Sequence, residues 1–276
     1  MTAELSTVNN DLVILHREAH GHLKLNRQSP DYGFARDSVT VALTVAELPA
    51  ACAEYPCVMA RQPDGVLSLL AVTGLQAGHN LFVGSDGAWL GQYLPATLAT
   101  WPFRLVRESD DGRFLVAVRP EALNPSVGDP LFNAEGQELP WLLERLRQLT
   151  ETDAGMGATT AQLAQLDAAG VLVDRSLQVI LPDGRDLELH GFMTVDEARL
   201  QSLPADTVYA MHTSGALTLA YLHLLSLRQF RQLVARSGEL AKQAALQEAQ
   251  QLAALNGQAG PLAQAESVAV PAAKTT

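Results

Sequence analysis

The chain has few features of a secreted, disulfide-bonded or nucleic-acid-binding protein. It contains two cysteines, and the spacing of Cys52 and Cys57 fits neither a redox Cys-x-x-Cys pair nor a four-ligand zinc site. Its 19 Lys and Arg residues against 30 Asp and Glu residues give a net charge of -11, which disfavours attraction to nucleic-acid phosphates. We therefore expect reduced thiols and no nucleic-acid partner.

Long hydrophobic runs are also missing. The longest run, residues 216–227, is interrupted by Thr218, His223 and Ser226, and it is shorter than the roughly 20 residues that cross a bilayer as a helix. Residues 1–11 lack the basic start and the apolar stretch of a secretory signal. The sequence therefore predicts a cytoplasmic protein with no membrane span.

Common nucleophile and phosphate-binding motifs are not found. Gly84-Ser85-Asp86-Gly87 is a turn signal and lacks the G-x-S-x-G spacing of a nucleophile elbow. Gly155-Met156-Gly157 fits neither G-x-G-x-x-G nor the Walker pattern. Acyl transfer and nucleotide hydrolysis are therefore unsupported, the sequence names no cofactor, and it leaves open whether the protein is an enzyme.

The first half of the chain has the pattern of antiparallel strands. Asp64-Gly65, Asp86-Gly87 and Asp111-Gly112 are turn signals between apolar or β-branched runs, so we predict that residues 10–120 are mainly β. Within residues 103–118, apolar side chains recur at every second position. This segment is therefore predicted to be a hairpin with one face packed inward.

The second half, residues 138–236, is predicted to be mainly α. Apolar residues recur at helical spacing over 139–150 and again from 159 to 170, which indicates two amphipathic helices. Residues 177–193 contain a fourth Asp-Gly turn and are predicted to form a hairpin. The apolar segment 216–236 is predicted to be the most buried helix.

These patterns predict an α+β fold, with a strand-rich N-terminal half containing hairpins, then helices, one further hairpin and a long buried C-terminal helix. We expect a single domain over residues 1–236. Residues 237–256, rich in Ala, Gln and Leu, are predicted to be a helical extension, and residues 257–276 a disordered tail. A homo-oligomer held by helix contacts of the extension is one hypothesis.

A series of motifs runs through the chain in one order. The densest runs from Gly74 to Val83 and continues through Asp86-Gly87, Trp89, Tyr93, Pro95 and Trp101-Pro102-Phe103. The others are Gly33-Phe34-Ala35, Glu54-Tyr55-Pro56, Asp129-Pro130-Leu131-Phe132, Leu181-Pro182-Asp183-Gly184 and Tyr221-x-His223-x-x-Ser226-Leu227. Over residues 12–236 this series resembles the SapC family of bacterial proteins. An unrelated transporter permease shares that name, but it spans the membrane.

The resemblance implies a role by association. The family name comes from genes near those for a bacterial surface-layer protein, which implies an accessory role in making, handling or exporting that protein. The leading hypothesis is therefore a soluble accessory protein that binds a peptide or protein client in surface-layer or secreted-protein production. Ala99 departs from the family pattern, since similar proteins usually carry an arginine there. An anion that this arginine binds in relatives would lack that contact here.

Some motif residues are candidates for a binding site. Asn80, Trp89 and Tyr93 supply an amide and two amphipathic rings to a groove for a peptide or small molecule. Alternatively, Asn80 bonds to turn backbone and Trp89 fills the core. His223, with Tyr221 nearby, is either a core histidine bonded to a carbonyl or a base or ligand that faces a cleft.

The N-terminal histidines give a rival hypothesis. His16, His20 and His22 form a H-x3-H-x-H arrangement, and His16-x-Glu18 resembles the start of a non-heme iron facial triad. Such pairs also arise by chance in a chain with 7 histidines and 30 acidic residues. His20 matches a histidine of the family's N-terminal motif, or is simply a surface or strand-end residue. The rival is a metal-dependent oxygenase of the non-heme iron type, or a peptide-modifying enzyme.

Overall fold

The computed structural model describes residues 12–27, 30–107, 114–181 and 184–258. The strands are β1 Val13–Ile14, β2 Lys24–Leu25, β3 Thr40–Ala42, β4 Cys57–Arg61, β5 Leu67–Val72, β6 Phe103–Arg107, β7 Phe114–Val118, β8 Leu123–Asn124, β9 Asp129–Pro130, β10 Leu172–Ile180 and β11 Asp186–Val195. The helices are α1 Arg17–His20, α2 Leu48–Ala51, α3 Ala96–Ala99, α4 Pro140–Ala168, α5 Glu197–Gln201, α6 Ala205–Ser214, α7 Ala216–Ser226 and α8 Gln229–Gln258. The fold is α+β, as predicted.

The central sheet is antiparallel and has the strand order β10-β11-β4-β5-β3. Two hairpins supply four of its strands. In the β4–β5 hairpin, Gly65 takes a φ of 84° and the Asp64 carboxylate accepts a hydrogen bond of 3.0 Å from the Val66 amide. The second hairpin, β10–β11, confirms the one predicted over 177–193, although residues 182 and 183 of its turn lie outside the described residues.

A second sheet has the order β1-β7-β6, and a small third sheet has the order β8-β2-β9. The β6–β7 pair confirms the hairpin predicted over 103–118. Phe103 lies opposite Val118, and both are buried in a small core against the first half of α4. The predicted turn at Asp111-Gly112 lies outside the described residues.

Helix α4 corrects the prediction of two helices over 139–150 and 159–170, because the structure has one helix of 29 residues. Glycine lowers helix propensity, and Gly155 and Gly157 lie in the middle of this helix. Packing explains the difference at Gly155, where an added Cβ would lie 2.9 Å from the Thr44 side chain. Close tertiary contact has therefore overridden local propensity.

The helix predicted over 216–236 is divided in the structure between α7 and α8. The Ser226 hydroxyl donates to the His223 carbonyl at 2.6 Å and accepts from the Cys57 amide at 2.9 Å. Such side-chain hydrogen bonds compete with the backbone hydrogen bonds of a helix, and these two lie at the break between α7 and α8. Helix α8 then runs without a break through the predicted extension, and the predicted tail lies outside the described residues from 259 onward.

The main core packs the central sheet against helices α4, α6, α7 and the start of α8. Between β5 and α3, residues 73–95 form a long loop that contains no strand longer than an isolated bridge. This loop lies against the main core through Leu75, Leu81 and Phe82. No helix of the described residues is both long and apolar enough to cross a membrane.

Candidate functional site

Asn80 connects the long loop to the Gly33-Phe34-Ala35 motif and the residue after it. Its side chain is buried, its amide nitrogen donates to the Ala35 carbonyl at 3.0 Å, and its amide oxygen accepts from the Phe82 backbone at 2.9 Å. The Asn80 backbone amide also donates to the Arg36 carbonyl at 2.8 Å. All these partners are backbone atoms, which agrees with the structural alternative for this residue.

The turn at Asp86-Gly87 packs against the same earlier motif. The Asp31 carboxylate accepts a hydrogen bond of 2.7 Å from the Gly33 amide, and the Tyr32 amide donates to the Gly87 carbonyl at 2.8 Å. Gly87 has a φ of 81°, and an added Cβ would lie 2.0 Å from the Asp31 carboxylate. Only glycine therefore fits at this contact.

Two carboxylates hold the end of the loop. The Glu54 carboxylate accepts from the backbone amides of Gln92 at 2.9 Å and Tyr93 at 2.8 Å. Glu47 is 8% exposed and accepts from the Tyr93 hydroxyl at 3.0 Å and from the Ala96 amide at 2.7 Å. Charge-assisted hydrogen bonds of this kind are about twice as strong as neutral ones, so they fix the conformation of residues 92–96.

Glu47 also caps the 3-10 turn to which it belongs. One of its oxygens accepts from the Thr44 backbone amide at 2.8 Å and from the Thr44 hydroxyl at 2.9 Å. This is a capping arrangement at the short 3-10 turn Val45–Glu47 that precedes α2. A nearly buried charge thus receives four hydrogen bonds, which offset the cost of removing it from water.

Two aromatic side chains complete the anchoring at Tyr93. Its carbonyl accepts a short hydrogen bond from the Tyr55 hydroxyl and another, of 3.0 Å, from the Trp89 indole. An added Cβ at Gly91 would lie 2.6 Å from the Tyr55 hydroxyl oxygen and 2.7 Å from the Trp89 nitrogen. Burial raises the pKa of Tyr55 and of Tyr93, so both hydroxyls stay protonated at neutral pH.

We call the set of Glu47, Glu54, Tyr55, Asn80, Trp89 and Tyr93 the motif cluster. It brings together three of the candidate residues, Asn80, Trp89 and Tyr93, through their shared contacts with the loop. Each hydrogen-bonding side chain of the cluster bonds to backbone or to another member. The cluster is therefore a rigid support for the surface beside it.

That surface is a cleft of about 560 Å³. One wall comes from the α2 region, with Ala50, Ala53 and Glu54, and a second from the loop, with Phe82, Gln92 and Tyr93. Helix α8 supplies the third wall, with Gln232, Leu233, Ala235 and Arg236. The volume of the cleft lies within the range of ligand-binding pockets, and half of its ten lining side chains are polar.

Arg236 joins α8 to the loop at the edge of the cleft. Its guanidinium donates to the Leu81 carbonyl at 2.8 Å and to the Leu90 carbonyl at 3.1 Å. The guanidinium carbon lies 4.2 Å from the centre of the Phe82 ring, which is the geometry of a cation–π contact. The Arg236 side chain is therefore held in one orientation.

His223 lies away from the cleft, fully buried between α7 and the central sheet. Its Nε2 accepts from the Val195 amide at 3.1 Å, so its Nδ1, 2.7 Å from the Cys57 carbonyl, carries the proton and donates. Burial lowers the pKa of His223 from 6.5 to about 4. This is the core-histidine alternative, and it leaves neither ring nitrogen for a ligand.

The remaining candidates are not brought to the cleft. Tyr221 is 51% exposed and does not line it. His20 lies on α1, and its Nδ1 is 3.0 Å from the nitrogen and 3.1 Å from the oxygen of the His16 backbone. Within the described part of the chain, no group of three or more His, Cys, Asp and Glu side chains is placed to hold a metal ion.

The candidates predicted from the sequence did not include Glu47, Gln92, Gln232 or Arg236. Glu54 could have been predicted as a candidate, because it stands in the Glu54-Tyr55-Pro56 motif. Glu47 also had a local signal, because Thr44 and Glu47 have the spacing of a capping box. Gln92, Gln232 and Arg236 carry no such pattern, since they become neighbours only when α8 folds back on the loop.

A family comparison covers most of these elements. The model of the SapC family matches residues 15–233. The chain belongs to the SapC family. The match includes every residue of the motif cluster and ends three residues before Arg236. No curated protein and no solved structure matches this SapC protein.

Proposed function

We propose that this SapC protein is a non-enzymatic binding protein whose cleft holds a peptide segment of a client protein in surface-layer or secreted-protein production. The observation that carries the proposal is the cleft between the motif cluster and α8. The polar groups of the cleft that bond to no other described residue are the side-chain amides of Gln92 and Gln232 and part of the Arg236 guanidinium. Amides pair with peptide backbone, whereas none of these groups is a nucleophile or a general base.

The residues that could perform acid–base chemistry are committed to structural contacts. The Glu54 carboxylate bonds to two backbone amides, and the Tyr93 hydroxyl donates to Glu47. His223 is bonded at both nitrogens and lies elsewhere. These contacts favour binding over catalysis. The connection to surface-layer or secreted proteins comes from the family's association and is part of the proposal.

Site-specific photo-crosslinking in the source bacterium tests the proposal. Ala235, which is exposed and lines the cleft, is replaced by p-benzoylphenylalanine, and the crosslinked partners are identified by mass spectrometry. Ala245, exposed on the same helix outside the cleft, is the matched control position. We expect secreted or surface-associated proteins at position 235 and not at 245. Equal labelling at both positions, or none, contradicts the proposal.

The metal-dependent alternative gains no support from the arrangement of His16, Glu18, His20 and His22. Elemental analysis of the purified protein tests it directly. A stoichiometric content of iron or zinc, retained after dialysis, would favour that alternative over a binding role.

A further inference from the structure

The Arg236 side chain is held in place but its charge is not neutralised. Carbonyl oxygens accept two of its five N–H donors, and the Phe82 ring supports one face of the guanidinium. Of the carboxylates in the described residues, none lies within ion-pair distance of Arg236. Three N–H donors are therefore fixed in direction without an acidic partner.

Within the described residues, the acidic group on the cleft wall forms no ion pair with Arg236. Among the described lining residues Glu54 is the one carboxylate, and each of its oxygens accepts a backbone amide of the loop. Its carboxylate therefore holds residues 92 and 93 and lies on a different wall of the cleft from Arg236. In a chain of net charge -11, this cleft therefore contains a guanidinium with no ion-pair partner among the described residues.

Other residues that line the cleft with Arg236 supply hydrogen-bond donors and leave room for a ligand. Gln92 and Gln232 are exposed at the cleft, and their side-chain amides make no recorded hydrogen bond to the described residues. Ala53 and Ala235 are small and exposed, which leaves room beside the guanidinium. A fixed planar guanidinium flanked by amide donors matches the two oxygens of a carboxylate.

We infer that the cleft recognises a carboxylate of the bound peptide at Arg236. The inference rests on the proposed function, which it deepens by naming the group that is recognised. Both a free C-terminus and an acidic side chain of the client offer this chemistry. The experiment therefore separates the two sources.

Three tripeptides serve as probes for the full-length protein: acetyl-Ala-Ala-Ala with a free C-terminus, the same peptide with a C-terminal amide, and acetyl-Ala-Glu-Ala amide. Binding is followed by NMR through the side-chain amide signal of Gln92, which lines the cleft and is retained in every variant below. We expect at least one carboxylate peptide to bind about tenfold or more tightly than the neutral amide, since a charge-assisted pair contributes on this order. Equal binding of all three, or no binding, overturns the inference.

Variants separate recognition from support of the loop. Arg236→Gln should abolish the preference for a carboxylate, whereas Arg231→Gln, the same change at an exposed residue outside the cleft, should preserve it. Because Arg236 also bonds to the loop, Gln232→Leu provides a second test that removes only an exposed amide. We expect it to weaken binding of the preferred peptide about fivefold. A carboxylate preference that persists in Arg236→Gln overturns the inference, whatever Gln232→Leu does.

The two proposals fail separately. If crosslinking at position 235 captures secreted or surface-associated clients but the probes show no carboxylate preference, client binding stands and the carboxylate inference falls. If position 235 captures no such client, the proposed function itself fails, whatever the tripeptides do.

Discussion

Two regions rich in polar side chains differ in the range of their contacts. In the motif cluster, Glu54 bonds to Tyr93, which is 39 residues away, and Glu47 bonds to Ala96, which is 49 residues away. In the N-terminal segment that contains His16 and His20, the two histidines bond to each other, four residues apart and exposed. Both segments contain residue types common in functional sites. The side-chain hydrogen bonds of the motif cluster join distant parts of the chain beside a concave surface, whereas those between the two histidines stay local.

This difference predicts unequal effects of substitution on stability. Removing a buried group with several long-range partners leaves those partners unsatisfied, whereas removing an exposed group with local partners exposes them to water. The residue type alone does not distinguish the two cases. The free energy of unfolding should therefore depend strongly on the cluster and weakly on the histidine segment.

The largest effect is expected for Glu47→Ala. The change leaves the Tyr93 hydroxyl and the amides of Thr44 and Ala96 without their acceptor. We expect a loss of about 3 kcal/mol or more in the free energy of unfolding, as for a broken buried charge network. Urea unfolding measures it. Glu47→Gln, which keeps the shape and one acceptor oxygen, should lose less, and a loss below about 1 kcal/mol for Glu47→Ala would contradict the network's importance.

A smaller effect is expected from the pH dependence at His223. Its folded pKa is about 4 against 6.5 for an unperturbed histidine, so the unfolded state binds a proton first as the pH falls. The contribution of this residue is therefore complete above pH 6.5 and is lost progressively between pH 6.5 and pH 4. From pH 7.5 to pH 5 the expected loss is about 2 kcal/mol.

Urea unfolding at several pH values, compared with His223→Gln, isolates the contribution of His223. The variant is expected to be less stable at pH 7.5, since it disturbs the bonds to Cys57 and Val195, and to lose less stability on acidification. Parallel pH profiles for the two proteins would show that His223 is not the titrating group.

A pair of glycine substitutions compares the cluster with an open helix surface. Gly91→Ala places a Cβ against Tyr55 and Trp89, and we expect a loss of about 1–2 kcal/mol from overpacking. Gly157→Ala places a Cβ where no atom lies within 4 Å, so the gain in helix propensity should stabilise α4 by about 0.5–1 kcal/mol. Thermal unfolding should shift in opposite directions. A gain at both positions would mean that residues 89–93 relax easily.

The sequence predicted features that depend on local patterns. The β6–β7 and β10–β11 hairpins follow from two-residue periodicity and Asp-Gly turns, both of which act over a few residues. The division of α4 into two helices was wrong, because glycine propensity is weak and the packing of Gly155 on Thr44 outweighs it. Tertiary contacts of this kind have no periodic signature.

The candidate site was predictable only in part. The motifs pointed to Asn80, Trp89 and Tyr93, and the structure places all three around the loop. The cleft itself needs residues 50–54, 82–93 and 232–236, which come from three distant parts of the chain. No helical or strand period links such segments. The sequence could name the loop but not the helix that faces it.

The smallest effect is expected for His20→Ala. Among the described residues, the His20 side chain hydrogen-bonds only to the His16 backbone. This contact is exposed, so water can replace the side chain when it is removed. We expect the free energy of unfolding to change by less than about 0.5 kcal/mol, as for surface positions in general. Binding of the carboxylate tripeptides should also be unchanged, because His20 does not line the cleft. A loss of more than about 1 kcal/mol, or weaker tripeptide binding, would show that the histidine segment has a partner comparable with those of the motif cluster.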